Sequence, residues 1–346
     1  MEKLSFPGLG IGPFEIKNTF SLFGLVDLHF YAVIIALGMA LAVGYAFWRF
    51  YANKIKLDIV LDYAVWILPL SIVGARIYFV LFDMLKPQAG GSYFDNVIYV
   101  SGGEKTLEFF GGNIVAFLYD VVSVWNGGLA IYGGVIAGGI VIAVISYFKK
   151  MNTMKILDIA VPAVLFAQVL GRWGNFFNVE AYGGVTTLPW RMFSTGEIYS
   201  YLISQGVSLD QIANNEVGVH PTFLYESLWN IIGVLIMVGT LIVSTLILKV
   251  NKEKHIDGIF FAFYMTWYGL GRMFIEGLRT DSLWLIPDVI RASVFVAVVT
   301  FLAGALLMAF LITRRVLIVK KNIDILEKIK EKIKTKKAET KNGTDN

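Results

Sequence analysis

The chain has 346 residues, 56% of them hydrophobic and only 16% charged, with a mean hydropathy of +0.66. That balance excludes an ordinary soluble domain and points to an all-α polytopic membrane protein, with no nucleic-acid partner. The absence of cysteine rules out disulfides, thiolate metal sites and a cysteine nucleophile on the protein itself; three histidines (His29, His220 and His255) make a multi-histidine centre an unlikely design, so neither metal nor cofactor is expected.

Residues 1–27 mix glycine, proline and a few charges without the basic flank and cleavage site of a signal peptide. Seven stretches then approach the ~20 apolar residues that cross a bilayer. They run roughly His29–Phe50, Ile59–Phe82, Leu129–Tyr147, Asp158–Phe177, Phe223–Leu248, Gly258–Leu278 and Ile286–Ile312. Residues 113–125 are apolar but short, which suits a re-entrant or interfacial piece better than a crossing. Segments 84–128 and 178–222 are read as outer segments of a transmembrane catalytic domain covering residues 1–312. No internal repeat is visible.

The charges orient the spans. Loops 49–56, 149–155 and 249–254 hold three basic residues each and the tail after Ile312 holds eleven, together twenty of the chain's 30. All four fall on one side if there are seven spans with the N-terminus outside and the C-terminus in the cytoplasm. In residues 313–346, Ile323, Leu326, Ile329 and Ile333 recur at helical spacing among lysines. An amphipathic helix on the anionic inner leaflet and a solvated charged tail both fit. Arg172 and Arg272 each lie 14 residues into an outward-running span, at a depth of ~21 Å from the inner side, and Arg76 reaches a similar level.

Polar groups inside apolar spans are where function is sought. Arg172, Asn175, Asn178 and Glu180 crowd residues 171–184, more than a snorkelling helix end requires. Tyr268, Arg272, Glu276 and Arg279 are spaced by 4, 4 and 3, one helix face. An internal ion-pair ladder would account for the last three, yet it leaves one positive charge over, suited to an anionic headgroup. Glu226, one turn into the fifth span, either pairs with an outer-half arginine or serves as a base. His220 reads as interfacial. The glycines of 127–139, including Gly133 and Gly134, permit either tight packing or a functional turn. Tyr31 sits near the outer end of the first span, where interfacial aromatics are common.

Gly171-Arg172-x-Gly174-Asn175-Phe176-x-Asn178-x-Glu180-x-x-Gly183 resembles the signature of the prolipoprotein diacylglyceryl transferase family. Supporting patches follow in family order. They are His29-Phe30-Tyr31, Gly74-Ala75-Arg76-Ile77-Tyr78, Trp125-x-Gly127-Gly128, His220-Pro221 with Tyr225-Glu226, and Tyr268-Gly269 with Arg272, Glu276 and Arg279. The resemblance covers most of residues 28–312 and leaves out 84–120 and the basic tail.

The resemblance implies a seven-span enzyme of the bacterial plasma membrane, facing the outer leaflet. It would move the diacylglyceryl group of phosphatidylglycerol to the lipobox cysteine thiol of a preprolipoprotein, yielding a thioether and glycerol-1-phosphate in the first step of lipoprotein maturation. The family's essential arginines fall on Arg172 and Arg272. Its other functional positions fall on Tyr31, Asn175, Glu180, Gly183, Glu226, Tyr268 and Glu276. Asn178, Arg76 and Arg279 complete the expected headgroup site. In such a transfer negative charge gathers on the departing phosphate, which fixed arginines stabilise. One position departs from the pattern: Tyr132-Gly133-Gly134 stands where many members have His-Gly-Gly. Neutral tyrosine is a poor base, so Glu226, an arginine-perturbed Tyr132, or a direct effect of the cationic site on the thiol must assist deprotonation. The competing reading is a transporter of phospholipid or anionic solute. No protease motif is present.

Overall fold

The structure, a computed structural model, describes residues 2–16, 19–22, 26–84, 98–101, 104–107, 119, 121–123, 130–244, 256–280, 284–286 and 290–342. The expected re-entrant piece at 113–125 and the Trp125 patch lie almost wholly outside these residues.

The chain opens with strands β1 (Glu2–Phe6), β2 (Ile11–Ile16), β3 (Thr19–Leu22) and β4 (Val26–His29). Helices α1 (Phe30–Ala52) and α2 (Leu57–Met84) follow, then strands β5 (Ile98–Ser101) and β6 (Glu104–Leu107) and helices α3 (Ile131–Phe148) and α4 (Thr153–Asn178). Next come β7 (Val185–Thr186), β8 (Phe193–Ser194), the short helices α5 (Glu197–Ser204) and α6 (Leu209–Ala213), and β9 (Gly218–Val219). The long helices α7 (Thr222–Ile242) and α8 (Ile259–Glu276) lead to β10 (Trp284–Ile286), β11 (Ile290–Arg291) and α9 (Ala292–Asn342). The protein is thus mostly helical, and four helices (α2, α4, α7 and α9) are long and apolar enough to cross a bilayer. These features fit a polytopic membrane protein.

Local chemistry explains where the helices differ from expectation. α4 starts at Thr153, five residues early, because the Asn152 side chain accepts from the Met154 amide at 3.0 Å and caps it. The last helix starts at Ala292 rather than Ile286: Pro287 follows Ile286, and a residue before proline is biased away from helix. At its far end α9 passes residue 313 without a break, because Ala305–Asn342 contains neither glycine nor proline. The basic stretch read as a separate tail is the continuation of the last apolar helix.

An all-α expectation missed the strands at the N-terminus. β1 pairs antiparallel with β2 and with β8, giving the order β2-β1-β8, while β7 pairs with β9. Leu4 and Ile16 from this hairpin share a core with Val179, Met192, Ile198, Leu202, Val219 and Phe223. The N-terminal stretch, in which no spanning element was expected, therefore completes the small core of the 178–222 segment.

The chain divides into two compact units, Met1–Ala42 with Ala160–Asn346, and Val43–Ile159. In the second, α2 and α3 approach closely, with Gly133 against the Gly74 backbone and Tyr63 hydrogen-bonded to Ser146 at 2.8 Å. The packing reading therefore holds for Gly133. In the first unit, α8 lies against α9. A Cβ on Gly269 would come within 2.7 Å of Ala297 O, and one on Gly304 within 2.6 Å of Thr266 N. α7 and α8 are clasped by Trp229 and Trp267, whose rings stack at 4.4 Å and whose indole N–H groups each donate to the other's carbonyl at 3.0 Å.

Candidate active site

The signature loop is built on a helix end. α4 closes with Glu180 N–H donating to Asn175 O and Val179 N–H donating to Phe176 O, both at 3.1 Å, the two bonds of a Schellman motif. The left-handed position is filled by Val179 at φ 51°, with Ala181 also left-handed at φ 58°. A β-branched residue there costs about 1–3 kcal/mol, a strain that recurs at functional loops. The turn folds Glu180 back over the helix end. Its Oε1 accepts from Asn175 Nδ2 at 2.9 Å and from Asn178 Nδ2 at 3.2 Å. Asn175 Oδ1 in turn accepts from Arg172 Nη1 at 3.2 Å. Four of the expected site residues are thus one hydrogen-bonded chain.

Glu226 is the centre of the constellation. Its carboxylate is 5% exposed, and three guanidinium groups converge on it. Arg172 Nη2 lies 2.7 Å from Oε2, while Arg272 Nη1 and Arg279 Nη1 lie 3.0 and 3.2 Å from Oε1. Arg272 also contacts Glu276 at 2.5 Å, one turn along α8. Glu276, 2% exposed, accepts from Ser293 Oγ at 2.5 Å, and its backbone carbonyl accepts from Arg291 Nη1. Among the described residues, Arg172, Arg272 and Arg279 thus face the two buried carboxylates of Glu226 and Glu276. The ladder expected along α8 is real for Arg272 and Glu276, but Arg279 also reaches across to α7. Both Glu226 oxygens are engaged by guanidinium groups. Arg291 and Ser293 escaped sequence reasoning; a charged residue opening an apolar span was the available signal.

Gly183 is tightly packed. A Cβ there would meet His220 Cβ at 2.7 Å and Leu278 O at 2.8 Å. Gly183 N–H donates to His220 O at 2.9 Å and Gly184 N–H to Leu278 O at 2.8 Å. The signature loop is thereby laced to the His-Pro turn on one side and to the end of α8 on the other. That lacing holds Arg172, Glu226 and Arg279 in register. Burial pushes His220 below the usual histidine range, and its Nδ1 lies 3.1 Å from Tyr225 Oη, which accepts from Trp190 Nε1 at 2.6 Å.

Tyr268 is on α8 one turn before Arg272, its ring stacked on Tyr264 at 5.8 Å. Tyr31 is in the first turn of α1, with its side chain outside the described set. Arg76 and Tyr132 belong to the second unit. Arg76 is 5% exposed, with its guanidinium 5.5 Å over the Phe79 ring, and Tyr132 is the second residue of α3, its side chain also outside the described set.

Fold and site define a class: a helical membrane protein that concentrates arginine on a buried carboxylate where three of its helices end. Comparison with known proteins gives the family. The prolipoprotein diacylglyceryl transferase family model matches residues 17–310. A phosphatidylglycerol–prolipoprotein diacylglyceryl transferase of Streptococcus equi subsp. zooepidemicus strain H70 is 39% identical over 275 residues, covering 80% of this chain and 87% of that protein. One from Streptococcus pyogenes serotype M5 strain Manfredo is 37% identical over 300 residues, 84% and 93% of the two chains. The chain belongs to the prolipoprotein diacylglyceryl transferase family.

Proposed function

We propose that this membrane enzyme transfers the sn-1,2-diacylglyceryl group of phosphatidylglycerol to the lipobox cysteine of a preprolipoprotein, with Arg172, Arg272 and Arg279 holding the phosphate. The observation that carries this reading is the convergence of those three arginines on the one buried carboxylate of Glu226. Sulfur attacks the glycerol carbon that bears the phosphate ester. The C–S bond forms as the C–O bond breaks, the electron pair leaves on glycerol-1-phosphate, and the thiol proton departs to the phosphate or to water.

The arginines act on both ends of that step. Positive charge fixed in a water-poor site stabilises the leaving phosphate. The same charge lowers the pKa of a nearby thiol, whose ordinary value is ~8.5. Glu226 keeps three like charges together, a positioning role, and the Asn175–Glu180–Asn178 chain sets Arg172. Glu276 fixes Arg272, while Tyr268 and Gly183 shape the surrounding walls. Tyr31 and Arg76 are assigned to the reaction on the family pattern, and Tyr132 on its place where many members have histidine. Tyr132→Phe should retain most of the rate if the cationic site activates the thiol, and lose it if the tyrosine hydroxyl is the base.

Seven spans, with the N-terminus outside and the C-terminus inside, agree with the placement of basic residues and put this site at the outer leaflet of a bacterial plasma membrane. Residues 1–312 form the catalytic domain and 313–346 its basic extension. With no native cysteine, single-cysteine labelling from either side tests this topology directly; Leu9→Cys reacting only from the cytoplasmic side would reverse it.

The test of function is incubation of purified protein with phosphatidylglycerol and an acceptor peptide carrying either Cys or Ser. Thioether product and glycerol phosphate should appear with Cys alone. Their absence under conditions that support a Streptococcus relative would refute the transferase reading.

A further inference from the structure

An aromatic cavity stands beside the arginine site and has no part in the chemistry above. It encloses about 650 Å³ and is lined by Phe6, Phe14, Trp173, Phe177, Trp190 and Phe223, among others. Its floor is the packed cluster of Phe176 on Phe223 at 4.8 Å and Trp173 on Phe223 at 5.4 Å. Its outer wall is the N-terminal hairpin. Leu9 and Phe14, both on this wall, are about half exposed. Within the sheet β2-β1-β8, β2 pairs only with β1 among the described residues, and residues 11–15 are exposed, so no described strand covers its other edge. An open edge strand with apolar side chains is a template for an added strand.

The cavity and the arginine site are neighbours on one helix. At about 100° per residue, Phe176, Trp173 and Phe177 occupy the sector of α4 next to that of Arg172 and Asn175. The levels are also ordered. Trp173, Phe176 and Phe177 follow Arg172 toward the end of α4, and Phe223 precedes Glu226 at the start of α7. The cavity therefore lies toward the helix ends. A lipid whose phosphate sits at the arginines has its acyl chains directed the other way, toward mid-helix, because they stay in hydrocarbon. The side of the site facing away from the tails is left for the second substrate.

We infer that the cavity and the open edge of β2 dock the acceptor polypeptide. An apolar side chain close to the reacting cysteine fills the cavity, and the extended backbone pairs with β2. This rests on the transferase reading. β1 and β2 precede residue 17, where the family match begins, and the phosphate contacts above come from α4, α7, α8 and the turn that follows α8.

Two measurements test it in the full-length protein, in vesicles containing phosphatidylglycerol. The first places a benzophenone amino acid in place of Phe14 and adds an acceptor peptide with Ser for Cys, so that docking is read without turnover. Cross-linking to the peptide, suppressed by excess unlabelled peptide, is expected. Cross-linking only to lipid, only to a second copy of the protein, or to nothing overturns the inference. The second is Phe14→Asp, at an exposed position that leaves the fold intact. It should raise KM for the acceptor about tenfold, leaving kcat and the KM for phosphatidylglycerol unchanged. An unchanged acceptor KM, or a shift confined to the lipid, also overturns it. Failure of the transferase reading itself is separate: the unsubstituted protein would form no thioether, while the cross-link would still report docking.

Discussion

Two regions of this molecule are rich in cations, and they differ in what surrounds the charge. At the site, Arg272 and Arg279 are about one-tenth exposed and are held by buried carboxylates from α7 and α8. Beyond Ile312, eleven basic residues follow in the sequence, and Arg314, Lys320 and Lys321 lie exposed along α9. Charge in water is screened and its partners contribute little, whereas charge in a dry site is strong and must be compensated. The larger number of cations is in the region with the lesser chemical power.

The sharpest break in that comparison is removal of a site arginine. Arg272→Ala and Arg172→Ala should each lower turnover by about 10²–10³-fold, measured as thioether product from protein shown to be folded. Unchanged rates would return both to a structural role. Glu226→Gln comes next. Taking the anion from under three guanidinium groups should cost about 3–5 kcal/mol, visible as lower yield and earlier thermal unfolding along with lost activity. A normally stable variant that lost only rate would restore Glu226 as a candidate base. Truncation after Lys321 should change turnover by no more than about twofold, since none of the site contacts described above involves the removed residues. A large loss would show that the basic extension takes part in catalysis.

The smallest effect concerns His220. Its depressed pKa means the folded state binds the proton less readily than the unfolded chain does. The stability that this contributes is complete above the unfolded value of about 6.5 and is lost as pH falls through the lower folded value. Thermal unfolding of the protein should therefore move to lower temperature on acidification through that window, and His220→Gln should flatten the trend. A stability that rose on acidification would contradict the burial of neutral imidazole.

What could be read without coordinates was whatever repeats at short range. Apolar runs located the long helices because each needs only its own residues to satisfy its backbone. Spacing of 4 put Arg272 and Glu276 on one face, whereas Arg279, expected on the same face, lies past the end of α8 in a bridge to Gly183, and the signature flagged Arg172 to Gly183. Helix ends were less legible, since a capping Asn152 or a disruptive Pro287 moves a boundary by several residues. The N-terminal hairpin was invisible: its pairing partner β8 and its core neighbours lie some 190 residues away in the sequence.

The sequence by itself determined that this chain is a helical membrane protein of a diacylglyceryl transferase family and which polar residues carry its signature. Only the tertiary structure decided how they are joined. Arg172 comes from α4, Glu226 from α7 and Arg279 from the turn after α8, and no periodicity relates positions 54 and 53 residues apart. Electrostatic partnership depends on distance through space and on exclusion of water, and neither is written in the order of residues along the chain.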